Sequence, residues 1–102
     1  EELALERQSL AALDREVSRL EQSVETFQAN DVQQKRQVQE LQARLDELKS
    51  KMQAQSSALD ALEGSGTGST DQDLRRRQLE EQRRALQEEF ELLMDLSLEL
   101  SK

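Results

Sequence analysis

The sequence predicts an all-α fold, a long antiparallel coiled-coil homodimer with a shorter fold-back helix. Three observations lead there. Apolar residues recur at heptad spacing from Leu3 to Leu62. The chain has 35% charged and only 2% aromatic residues, with no Pro, Cys, Trp or His. All three glycines fall within the segment from Gly64 to Gly68. Two phenylalanines, Phe27 and Phe90, cannot fill a compact interior of about 100 residues, so burial must come from helix against helix.

In the first helix, residues 1–63, one frame holds without a skip. Its a positions are Leu3, Leu10, Val17, Val24, Asp31, Val38, Leu45, Met52 and Leu59. Its d positions are Glu6, Leu13, Leu20, Phe27, Gln34, Leu41, Leu48, Gln55 and Leu62. Fourteen of the eighteen are apolar, more than the three or four heptads that separate a coiled coil from an ordinary amphipathic helix. Such a rod, about 90 Å long at 1.5 Å per residue, needs a partner along its stripe.

The polar exceptions bear on orientation. An antiparallel homodimer centred between Val32 and Gln33 sets Asp31 opposite Gln34 of the second copy. The same register pairs Val24 with Leu41, Val17 with Leu48, and Leu10 with Gln55. Flanking charges agree, since Glu16 then approaches Lys51 and Asp14 approaches Lys49, whereas a parallel dimer sets Glu16 against Glu21 and Arg44 against Lys49. Each exposed pair contributes only about 0.2–1 kcal/mol, but the sign of several pairs selects orientation. The alternative reading of Asp31 and Gln34 is a break at Ala29-Asn30-Asp31. That gives three segments of about 30 residues and a bundle resembling a spectrin-like three-helix unit.

Residues 64–70 have the composition of a flexible spacer and read as an engineered joint between two fragments. Gly64 is placed to take a left-handed cap, while Asp60 and Glu63 oppose the dipole of the preceding helix. Thr70 is placed as N-cap of the second helix, residues 71–102, with Asp71 and Asp73 behind it. Seven linker residues reach at most about 24 Å, which forces that helix to return antiparallel over residues 31–62. Its packing candidates are Leu79, Leu86, Phe90, Leu93, Leu96 and Leu100. With Leu92, Met94 and Leu98 they make an apolar surface broader than a two-helix seam. In the dimer both returning helices end at the centre, forming a local four-helix bundle. The same surface, residues 86–100, is the candidate dock for another helical protein.

Function classes narrow by exclusion. Without Cys or His the usual disulfide, zinc, haem and general-base arrangements are missing. No catalytic residue, metal ligand or cofactor is therefore expected, and no enzyme. A net charge of −8 and a pI near 4.6 argue against nucleic acid and anionic membranes as partners. Arg75-Arg76-Arg77 and Arg83-Arg84 share their helix with Glu80, Glu81, Glu88 and Glu89, and read as a solvated face. No stretch approaches the roughly 20 apolar residues of a membrane span. An intracellular, cytoplasmic or cytoskeletal setting is expected, with the chain an excerpt of a longer protein.

The layout of a long antiparallel helix pair with a shorter helix folding back to its centre resembles the coiled-coil region of tripartite-motif ubiquitin ligases. The resemblance is one of architecture, not of residue motif, and it implies a dimerising scaffold that fixes the spacing of attached domains. The other expected function is a tethered fusion, in which residues 71–102 are a helical segment bound to a coiled-coil receptor, residues 1–63.

Overall fold

The computed structural model describes residues 2–64 and 70–100, and of Glu2, Thr70 and Asp71 the backbone alone. The protein is all-helical there: α1 (Glu2–Glu25), α2 (Val32–Gly64) and α3 (Thr70–Leu100). The spacer residues 65–69 and the Thr70 cap lie outside the described side chains.

The first departure from the heptad reading is at residues 26–31, where the expected continuous helix is divided. The cause is local hydrogen bonding on both sides of the gap. At the end of α1, the Thr26 hydroxyl donates to the Ser23 carbonyl (2.9 Å) and the Phe27 amide to the Val24 carbonyl (3.1 Å), using up carbonyls that would continue the helix. At the start of α2, the Asp31 carboxylate accepts from the Gln34 amide (2.8 Å) as an N-cap. Gln34 reaches back to accept from the Asn30 amide (2.7 Å), a variant of the reciprocal capping box. Asp31 is exposed and Gln34 half-buried, so these two frame positions serve as a cap and not as a core layer. Phe27 is only half-buried in the connection.

The three helices run up, down and up. Arg7, near the start of α1, pairs with Asp60 and Glu63 at the end of α2, and Glu21 meets Lys49 at 2.9 Å. α3 returns along α2: Gln55 donates to Gln82 (2.8 Å), Lys51 meets Glu89 (3.5 Å), and Leu41 shares a groove with Leu96 and Leu100. The result is a rod 55 × 17 × 17 Å.

Its core is the apolar stripe, closed within one chain. Leu10, Leu13, Val17, Leu20 and Val24 of α1 meet Leu41, Leu45, Leu48, Met52 and Leu59 of α2 and Leu86, Phe90 and Leu93 of α3. Leu62 is buried as well. Val38, Leu79, Met94 and Leu100 are half-buried against this cluster, whereas Leu96 is exposed. Burying each large side chain contributes about 1.5–3 kcal/mol, which is how a chain so poor in aromatics holds together.

One reading of the α2 end is corrected: Gly64 is the last helical residue and has no left-handed φ. Asp60 and Glu63 oppose the helix dipole, and Arg7 of α1 pairs with both. The carbonyl of Leu62, in the last turn of α2, accepts from the Gln72 side chain of α3 (2.8 Å).

Candidate functional site

Three features stand out from a plain leucine zipper, and all concern how helices choose their neighbours. The first is a polar layer near one end of the rod. Along α3 the inward line is Gln72, Arg76, Leu79, Arg83, Leu86, Phe90, Leu93, Ser97 and Leu100, alternately four and three residues apart, and all of these are buried or half-buried. Two arginines read from sequence as part of a solvated face therefore point inward. Arg83 donates to Glu6 of α1 at 2.6 Å, with side-chain exposures of 14% and 6%. Arg76 is gathered by Asp73 (3.1 Å) and Glu80 (3.5 Å). Arg75, Arg77 and Arg84 face solvent as expected.

Gln55 adds to this layer. It is buried, donates to Gln82, and its own Oε1 has no hydrogen-bond partner among the described residues. Glu6 and Gln55 looked like flaws in the heptad stripe. They are two of the groups with which α1, α2 and α3 recognise one another, since a misaligned helix would leave a buried charge or amide unpaired. The signal that could have found Arg83 was its three-residue spacing from Leu86, with the stem of a long side chain lying along apolar surface.

The second feature is the surface charge pattern between α1 and α2. Lys49 holds its proton to a higher pH than usual, chiefly because Glu21 accepts its hydrogen bond, with Asp14 and Asp46 adding attraction. Arg7 is likewise held more firmly charged by its bonds to Asp60 and Glu63. Lys51 turns to Glu89 of α3 rather than to Glu16 of its own chain.

The third feature is the connection at residues 26–31 and the end of the rod beyond it. Glu21 lies beside Lys49, so α1 stops only about 6 Å further on, while α2 extends about 25 Å beyond Lys49 to Val32. The connection must cover the difference, roughly 20 Å, which six residues manage only when nearly extended. Its burial alternates accordingly: Phe27 and Ala29 are half-buried, Gln28 and Asn30 exposed. Among the described residues no third helix covers this end. Gln37, Glu40, Leu41 and Arg44 of α2 face Leu96 and Leu100 of α3 across an open groove. Leu96, which lines it, is 41% exposed, and Val32, Leu92 and Leu98 are exposed elsewhere on α2 and α3. Of the broad apolar surface of α3, Leu86, Phe90 and Leu93 are buried in the core and Leu79, Met94 and Leu100 half-buried against it.

Among the described residues no group of acidic side chains is placed to hold a metal ion, and no helix is long and apolar enough to cross a membrane. Comparison of the chain with protein-family models, curated proteins and solved structures gives no match.

Proposed function

We propose that the chain is a non-enzymatic helical scaffold segment that pairs antiparallel with a second copy and fixes the spacing of whatever is joined to its ends. One observation carries the reading: the chain enters at the Arg7 end and leaves past Leu100 at the other end of a 55 Å rod. An odd number of antiparallel helices separates entry from exit, whereas a hairpin brings them together. The heptad frame shared by α1 and α2, with Asp14, Glu16, Lys49 and Lys51 flanking it, supplies the antiparallel orientation between copies. Fluorophores at Gln8 and Glu99, read by energy transfer in single molecules, test the spacer. A distance near the length of the rod supports it, and one below about 20 Å overturns it.

A second reading, residues 71–102 as a tethered helical ligand, is favoured by the way α3 lies along α2 with Leu86, Phe90 and Leu93 as anchors. A protease site inserted in the spacer separates the two. A ligand dissociates on dilution and leaves residues 1–63 folded, whereas an integral third helix leaves them largely unfolded once it departs.

A further inference from the structure

We infer that residues 26–31 are an exchange hinge: by straightening into helix they release α1 from its own α2 and α3 and seat it on those of a second copy. The inference rests on the antiparallel pairing proposed above and says how a chain that closes on itself achieves it.

The frame residues on either side of the gap keep step through it. Val24, Phe27, Asp31, Gln34, Val38 and Leu41 are alternately three and four residues apart, as though the helix had never stopped. An ordinary turn between helices has no reason to preserve that phase. The hinge also holds no Gly or Pro, so each of its residues is able to join a helix. The closed state is fastened there by few local bonds, those of Thr26, Asn30, Asp31 and Gln34 described above.

The occupant of the open groove follows from the same register. With the hinge helical and the two copies crossing near Val32 and Gln33, the partner's α1 takes the place left by the chain's own α1. The partner's now-helical hinge then covers the groove between α2 and α3 where Leu96 is exposed and Leu100 half-buried. α1 leaves its own α2 for that of the other copy, as in domain swapping, and shifts by one heptad, so that Lys49, beside Glu21 in the closed rod, meets Asp14 of the second copy. Asp31 gives up its capping role and faces Gln34 of the partner. The two α3 helices end beside the crossing, which completes a four-helix bundle from residues that one chain leaves exposed.

Val32→Pro and the double variant Asp31→Leu with Gln34→Leu push the equilibrium in opposite directions. Proline suits the first turn of a helix behind a cap, as in the closed form, but breaks a continuous one. Leucines remove the cap and fill the stripe. Sedimentation against concentration gives the dimer affinity. A spin label at Gln22→Cys, in a chain with no other Cys, reads the distance between copies. In the exchanged dimer Gln22 lies opposite Ala43, which places the labels about 30 Å apart.

The expected result is a dimer with that distance in the parent chain. Val32→Pro weakens it at least about a hundredfold while circular dichroism retains the closed helices, and the double leucine variant strengthens it at least about tenfold. If Val32→Pro dimerises as well as the parent with labels still about 30 Å apart, exchange is overturned and antiparallel pairing stands. If the parent and the double leucine variant both stay monomeric at millimolar concentration, exchange and pairing fail together, and the single-chain spacer remains.

Discussion

Glu6 and Arg83 are a nearly dry ion pair on the inward faces of α1 and α3. Glu6→Ala leaves the guanidinium with Gln87 (3.1 Å) as its partner among the described residues, and is expected to cost about 3 kcal/mol in urea denaturation. Replacing both residues by Leu is expected to be neutral within about 1 kcal/mol, a contrast that separates pairing from simple packing. Asp31→Ala removes the cap of α2 and is expected to cost about 1 kcal/mol by the same assay. Lys49 supplies a pH dependence. Its folded-state pKa is raised above the unfolded value of about 10.4, so its contribution is complete below that pH and lost as pH rises through the folded value. Thermal stability should therefore fall above about pH 10.5, by less in Lys49→Met than in the parent chain. Among these residues the sequence exposed the apolar ones and hid the polar ones. Arg83 carries the same letter whether solvated or inward, and only its spacing from Leu86 betrays it.

At the level of the helices, α2 is the axis and its neighbours are unequal. α2 packs on both other helices, so Leu45 and Leu48 have no exposure at all. Hydrogen exchange should be slowest in its middle, from Leu45 to Met52, and faster by orders of magnitude at residues 32–40, where among the described residues α3 and the hinge alone cover it. Phe90→Ala, at the contact of α3 with the core, is expected to cost about 3–5 kcal/mol and to loosen α3 first. The break between α1 and α2 was the element least legible beforehand, for a physical reason. Heptad phase is a long-range signal and runs through Asp31 unchanged, whereas the cap is a short-range one, Asp31 followed three residues later by Gln34. Both signals are satisfied here, and closure within the chain is the connection the local bonds make.

For the whole molecule, the apolar stripe that demanded a partner finds it inside one chain, and the all-helical class follows from composition and periodicity alone. What composition did not reveal was that α1 and α2 form two sides of one bundle, because a straight rod and a folded one bury the same residues. The closed rod has a radius of gyration of 16.4 Å, and an exchanged dimer is far longer, since its two straightened helices each span about 95 Å.

The measurement that tests this most directly is the distance within one chain between spin labels at Gln8→Cys and Ala61→Cys, diluted with unlabelled protein at low concentration. Arg7 pairs with Asp60 and Glu63 in the closed bundle, so the labels should lie within about 20 Å, across neighbouring helices. A distance near 80 Å under those conditions, the length of an unbroken helix between the two sites, would contradict the closed three-helix rod.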